Sequence, residues 1–186
     1  MSSSVPYAAV ILGELDKLIG SASELPNKVD SFADKLMQSN RVFVAGAGRS
    51  GLMGKAFAMR LMHLGIQAFV VGETITPAIS SSDTLVLGSG SGETGSLIGM
   101  ADRAKRIGAS VMLVTVNPES TLALMSDSVA ALPAASKEAS SASTVQPMGS
   151  LFEQGLLLFY DAIVLKLMEL KQLRGDVMYG NHANLE

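Results

Sequence analysis

Arg41-Val-Phe-Val-Ala-Gly-Ala-Gly-Arg-Ser-Gly51 changes character halfway along. Its first five residues form a short apolar run with β-branched and aromatic side chains, which predicts a buried strand over 41–45. Glycines stop the run. From residue 50 to 64 the apolar positions recur at intervals of three and four, so a helix follows and closes at Gly65. Upstream, residues 5–19 and 25–38 show the same helical spacing. Downstream the alternation continues: strand 68–72, a connector containing Pro77, strand 84–88, helix 93–107 closed by Gly108, strand 110–116, helix 119–126 and strand 128–132. Strands apolar on both faces and separated by helices need crossover connections. The expected fold class is therefore α/β, a three-layer αβα sandwich around a doubly wound, five-stranded parallel sheet.

The rest of the chain fits around that core. Residues 133–146 are small and polar without periodicity, which predicts a mobile loop placed to act as a lid. Pro147 is expected to open a long helix to about residue 172, and the tail to 186 is too broken by Gly175 and Gly180 to assign. The whole, 1–186, reads as one domain: helices in 1–40, sheet core in 41–132, loop in 133–146, long helix and tail in 147–186. Its 186 residues, 48% hydrophobic and 17% charged, suffice for one core of ordinary size.

Composition removes several function classes. Fourteen Lys and Arg against seventeen Asp and Glu leave a formal charge of -3, with the basic residues scattered, so nucleic acid is not an expected partner. The absence of cysteine excludes disulfides, thiolate metal sites and a cysteine nucleophile, and two histidines, His63 and His182, do not make a multi-histidine metal centre. Met1 to Leu12 lacks the pattern of a signal peptide. The greasiest stretch, Gly155 to Met168, is interrupted by Asp161 and Lys166 and falls short of the roughly 20 apolar residues that span a bilayer. A soluble cytoplasmic protein with no membrane partner is expected.

In an open α/β sheet ligands sit beyond the carboxyl ends of the strands. Two loops stand there. Gly88-Ser-Gly-Ser-Gly-Glu-Thr-Gly95 follows the third strand: its glycines allow N–H groups to converge, and Ser89, Ser91 and Thr94 add hydroxyl donors at a helix start. It reads as an anion cradle, or more plainly as a turn in which Ser91 caps the next helix. Glu93 suits the helix dipole and can point away from a ligand. Gly46-Ala-Gly-Arg-Ser-Gly51 matches G-x-G-x-x-G, with Glu73 near where a ribose-binding acid would lie. The alternatives there are a dinucleotide site and simple close packing of helix on strand.

Glu153 follows Ser150 at the spacing of a capping box, which is its ordinary reading. Its chemical reading is a general base in apolar surroundings (Leu151, Phe152, Leu156, Leu157). His63 reads as a helix-end residue, and His182 needs a docking surface, which a neighbouring subunit can supply. The last long helix carries more apolar surface than one stripe covers, and Met53, Met59 and Met62 load another helix. Either a homo-oligomer or the protein's own core covers them.

Together the motifs resemble the sugar isomerase (SIS) domain family, and within it the 6-phospho-3-hexuloisomerases of the ribulose monophosphate pathway. The resemblance is carried by residues 45–52, Phe57-Ala-Met-Arg-Leu-Met-His63, Val71-Gly-Glu73, residues 88–94, Asn117-Pro-Glu-Ser120, Gln146-Pro-Met-Gly-Ser-Leu-Phe-Glu-Gln154 and His182-Ala-Asn-Leu-Glu186. It implies a flavodoxin- or Rossmann-like SIS fold and isomerisation of D-arabino-3-hexulose 6-phosphate to D-fructose 6-phosphate, without metal or organic cofactor. It implies a homotetramer, functional coupling to 3-hexulose-6-phosphate synthase, and use in formaldehyde fixation. By the same resemblance Glu153 is the base. Gly48, Arg49, Ser50, Ser89, Gly90, Ser91, Gly92, Glu93, Thr94 and Gly95 form the phosphate and substrate site. Arg49 or His182, the latter from another subunit, steadies the enediolate oxygen. A non-catalytic phosphosugar-binding module is the alternative.

Overall fold

The computed structural model describes residues 6–134, 144–182, 184 and 185. Helices α1 (Tyr7–Ser21) and α2 (Leu25–Gln38) lead into β1 (Val42–Gly46), α3 (Gly48–His63) and β2 (Ala68–Val70). Then come β3 (Thr84–Gly88), α4 (Gly95–Ile107), β4 (Ser110–Thr115), α5 (Thr121–Met125), β5 (Ser128–Ala131), α6 (Ser150–Leu170) and α7 (Gly175–Tyr179). The five strands pair in parallel in the order β2-β1-β3-β4-β5. This is the expected three-layer, doubly wound sandwich.

Successive strand residues point to opposite faces, and each face has its own core. Val42, Val44, Val86, Met112 and Val114 pack with Phe32, Leu36, Phe57, Phe159 and Tyr160 from α2, α3 and α6. Phe43, Ala45, Leu85, Leu87, Val111 and Leu113 pack instead with Leu97, Ala101, Ala104 and Leu122 from α4 and α5. The first layer is secured by ring contacts, Phe32 edge-on to Phe159 at 5.3 Å and Phe57 stacked on Tyr160 at 4.3 Å. Such pairs add about 0.5–1.5 kcal/mol each beyond the area they bury.

Topology places the site. β1 connects outward through α3 to β2, whereas β3 connects the other way through α4 to β4, so their loops part at the switch point of the sheet. Register puts Gly46 opposite Gly88, which brings both glycine loops to one edge at one level.

Several boundaries differ from the sequence reading. The long helix begins at Ser150 rather than Pro147, because Met148 takes a positive φ of 56° and turns the chain before the helix starts. α4 begins at Gly95 rather than residue 93, because Gly92 at φ 69° keeps the loop folded to its end. The second strand is three residues long: it is the sheet edge, paired on one side only. The expected lid over 133–146 falls largely on 135–143, outside the described residues; its far end is clamped, with Thr144 Oγ1, the Val145 N–H and Gln146 Nε2 all donating to the Glu14 carboxylate of α1.

Most of the apolar circumference of α6 is covered by α1, α2, α3 and the sheet, the own-core alternative. Leu158 and Leu165 on α6, and Leu52, Met59 and Met62 on α3, stay exposed. Among the described residues no helix is long and apolar enough to cross a membrane.

Candidate active site

Three helices begin around one pocket. α3 starts after Ala47, α4 after Thr94 and α6 after Gly149, and none of these three N-caps makes a side-chain capping bond. Each helix start therefore presents unpaired N–H groups and the positive end of its dipole, which together attract an anion. The pocket between them is lined by Ala47, Ser50, Gly88, Ser89, Gly90, Ser91, Thr94, Val116, Gly149 and Phe152.

The loop after β3 is shaped by bonds on its outer side. Thr115 Oγ1 and the Val116 N–H both donate to the Gly90 carbonyl, and the Leu122 N–H donates to that of Gly92. With these carbonyls drawn away, the opposite edge of the loop faces the pocket. Within the loop the Gly92 N–H donates to Ser89 Oγ at 3.2 Å and the Glu93 N–H to Ser91 Oγ at 3.2 Å. Those two N–H groups, expected to meet a phosphate, are thus occupied inside the loop. The N–H groups of Thr94, Gly95 and Ser96 have no acceptor among the described residues. Ser91 does not cap α4, which overturns the plain reading of the loop.

Glu93 turns away from the pocket. Its Oε1 accepts the Thr121 N–H at 2.7 Å across the loop, and this bond holds its carboxyl below the usual carboxylate range. The carboxylate serves the start of α5 instead.

Glu153 lies in the first turn of α6 and is 6% exposed. The capping box is absent: Gly149 is the N-cap, and Ser150 Oγ accepts Arg49 Nη1 at 2.9 Å. The same Arg49 nitrogen donates to Glu153 Oε2 at 2.8 Å, joining α3 to α6 across the pocket rim. Arg49, Ser50, Ser89, Ser91, Thr94 and Glu153 are thus brought together from three separate helix starts. Ser50 is buried and lines the pocket, while Gly48, at φ 56°, makes the turn into α3.

His182 is not brought there within one chain. Its ring stacks on His63 at 5.7 Å and on Tyr179 at 5.9 Å, at the far end of α3. The fourteen residue-to-residue steps from Arg49 to His63 span about 21 Å at 1.5 Å each. His63 is buried at the C-terminal end of α3, as expected of a helix-end residue, and burial first, then Arg60 and His182, push its pKa down.

The G-x-G-x-x-G match resolves toward packing. A Cβ on Gly51 would fall 2.5 Å from the Gly46 carbonyl oxygen, so these two glycines let helix and strand meet. Glu73 is paired with Lys55 at 3.0 Å on the outer side of α3.

The sequence reading gives Phe152 only an apolar flank and gives Val116, Gly149 and Ala47 no role, yet all four line the pocket. Val116 ends up there because it follows β4, a strand-end position that the same topological rule singles out.

A family model described as the SIS domain matches residues 35–158. A Bacillus subtilis (strain 168) protein named 3-hexulose-6-phosphate isomerase is 51% identical over 183 residues, covering 97% of each chain. A Mycobacterium gastri protein of the same name is 42% identical over 173 residues, covering 92% of this chain and 87% of the relative. A Methanococcus jannaschii crystal structure, from which a molecular function of 3-hexulose-6-phosphate isomerase has been inferred, superposes with a TM-score of 0.84 at 31% identity. That alignment covers 98% of this chain and 100% of the other.

Proposed function

The chain belongs to the SIS-domain family and to its 3-hexulose-6-phosphate isomerase branch, and from that premise we propose that it converts D-arabino-3-hexulose 6-phosphate to D-fructose 6-phosphate. The observation that carries the proposal is a buried carboxylate, Glu153, held by Arg49 in the first turn of α6, the same helix start whose Gly149 and Phe152 line a pocket made from three helix starts without side-chain caps. The pocket holds the phosphoryl group through Ser50, Ser89, Ser91, Thr94 and the first N–H groups of α4. Binding energy from this remote group orients the reacting carbons.

Glu153 then takes the proton from C2. The C2–H electron pair becomes the C2=C3 double bond, and the C3 carbonyl pair moves to its oxygen, giving an enediolate. The O2 proton passes to O3, the C2 carbonyl forms, and C3 receives a proton from the protonated Glu153. Arg49, already beside Glu153, steadies the developing oxyanion. His182 takes a part only across a subunit boundary, in the tetramer that the exposed Leu52, Met59, Met62, Leu158 and Leu165 support. On this reading 1–186 is one SIS domain acting in the cytoplasm, downstream of the synthase that makes its hexulose phosphate, in formaldehyde fixation.

The test is conversion of 3-hexulose 6-phosphate in deuterated water, followed by the label at C3 of the product. Solvent deuterium is expected there. Glu153→Gln should lower kcat on the order of 10²- to 10⁴-fold while product still binds. Binding without turnover in the unaltered protein would leave only the phosphosugar-binding module.

A further inference from the structure

The chain over 144–155 is held at both ends by one face of α1. Leu18 is buried, and a Cβ on Gly155 of α6 would lie 3.0 Å from its Cδ2, so the glycine lets α1 seat on α6. Glu14 lies one turn back on the same face of α1. Its carboxylate accepts Thr144 Oγ1 at 2.7 Å, the Val145 N–H at 2.8 Å and Gln146 Nε2 at 2.9 Å. Thr144 Oγ1 in turn accepts the Gln146 N–H at 3.0 Å. The bond from Thr144 first, then those from Gln146 and Val145 and the charge of Lys17, hold the Glu14 carboxyl below its usual range although burial works against them.

Between these two anchors the chain makes a turn that its own residue does not favour. Met148 has φ 56°, in the left-handed region that suits glycine, and its side chain is 76% exposed, so no packing of its own keeps it there. The turn decides where α6 begins. With Met148 left-handed, the carbonyls of Pro147 and Met148 do not meet the N–H groups of Leu151 and Phe152, which have no acceptor among the described residues. Those N–H groups sit at the helix start whose Gly149 and Phe152 line the pocket. A helix begun at Pro147 would shift its free N–H groups about 4.5 Å along the axis, at 1.5 Å per residue.

We infer that Glu14 is a positioning residue for the phosphoryl site: by tying residues 144–146 to α1 it keeps Met148 in its left-handed turn, and so keeps the free N–H groups of α6 at the pocket. The inference rests on the reading of that pocket as the seat of the sugar's phosphoryl group. Glu14 does not line the pocket and acts through the tied segment. Its effect has a telling sign: removing a negative charge would by itself tighten anion binding, whereas removing the tie weakens it.

The test uses the full-length protein and inorganic phosphate, measured by calorimetric titration and as an inhibitor of 3-hexulose 6-phosphate turnover, with urea unfolding alongside. Glu14→Ala should weaken phosphate binding about three- to tenfold, the size of a helix-terminus contribution, and raise KM by a similar factor. kcat should change less than about twofold, because the phosphoryl contact is alike in ground and transition states. Glu14→Gln keeps one acceptor oxygen and should fall between. Asp16→Ala removes an exposed carboxylate of α1 without touching the tie, and should leave phosphate binding within about twofold. Met148→Gly relieves the turn of its conformational cost, so adding it to Glu14→Ala should restore most of the lost affinity, a repair that general damage to α1 would not allow.

Phosphate binding in Glu14→Ala as tight as in the unaltered protein, or tighter, overturns the inference. So does a loss that Met148→Gly leaves in full, or a fall in kcat with KM and phosphate binding unchanged. If Glu14→Ala does not fold, Thr144→Val removes the shortest bond of the tie and should weaken phosphate binding by a smaller factor; no weakening there overturns the inference instead. An unaltered protein that binds no phosphate sinks the pocket reading and the role of Glu14 together. One that binds phosphate but turns over no hexulose phosphate sinks only the isomerase reading, and the titrations still decide the role of Glu14.

Discussion

Gly92→Ala tests whether the glycine loop after β3, the proposed phosphate cradle, is held from behind by α5. Gly92 sits at φ 69°, and a Cβ there would lie 1.9 Å from Ser120 Oγ and 2.4 Å from Ser120 Cβ. Ser120 cannot rotate away freely: it is 1% exposed, its hydroxyl donates to the Asn117 carbonyl at 2.8 Å, and it accepts the Ala123 N–H at 3.4 Å as cap of α5. The backbone must move instead. Left-handed backbone costs a side-chain-bearing residue about 1–2 kcal/mol, and forcing extra volume into a packed site costs about 1–3 kcal/mol. A loss of about 2–5 kcal/mol is expected from urea unfolding. Movement at Gly92 also breaks its bonds to Ser89 Oγ and the Leu122 N–H, so phosphate inhibition should weaken on the order of tenfold or more. Gly99→Ala is the control, since a Cβ there meets nothing within 4 Å in the middle of α4 and should stabilise by about 0.5–1 kcal/mol. A Gly92→Ala protein as stable as Gly99→Ala, with phosphate inhibition intact, would refute the reasoning.

Asp83 is buried before β3 and accepts Arg41 Nε at 3.1 Å, Arg41 Nη2 at 2.7 Å and the Ser80 N–H at 2.6 Å. Asp83→Asn should cost about 3–5 kcal/mol in urea unfolding, as expected for breaking a buried pair. Burial works to raise the Asp83 pKa, but the bonds from Arg41 and Ser80 outweigh it and leave the carboxyl below 3.8. Its contribution is therefore complete above the unfolded carboxylate range and lost as pH falls through the folded value. The variant should show a flatter acid limb of stability. His63 acts in the same direction at milder pH: with its folded pKa below 6.5, the unfolded chain binds the proton first, and stability falls as pH drops below that value. His63→Gln should remove that step from the pH dependence of unfolding, and a step that persists would assign it elsewhere.

Periodicity alone located the strands and helices of the sheet core, because the switch from a short apolar run to three-and-four spacing reports which surfaces must be buried. It located the two glycine loops as well, since strand ends in a parallel sheet fall on one edge. The starts of α4 and α6 were not legible in it. Backbone turns at Gly92 and Met148 decide where those helices begin, and the one at Gly92 is held by the N–H of Leu122, distant in sequence.

The candidate site divides in the same way. Residue types and spacing singled out Ser89, Ser91, Thr94 and Glu153, and the family resemblance added Arg49. Only tertiary structure decided that Glu153 pairs with Arg49 rather than with a capping serine, and that His182 stacks on His63 at the opposite end of α3. Only it brought Phe152 against Gly90. Local sequence encodes which groups a segment carries and which face it buries. Distances between segments separated by a hundred residues are set by how their side chains interlock, and nothing in either segment states them.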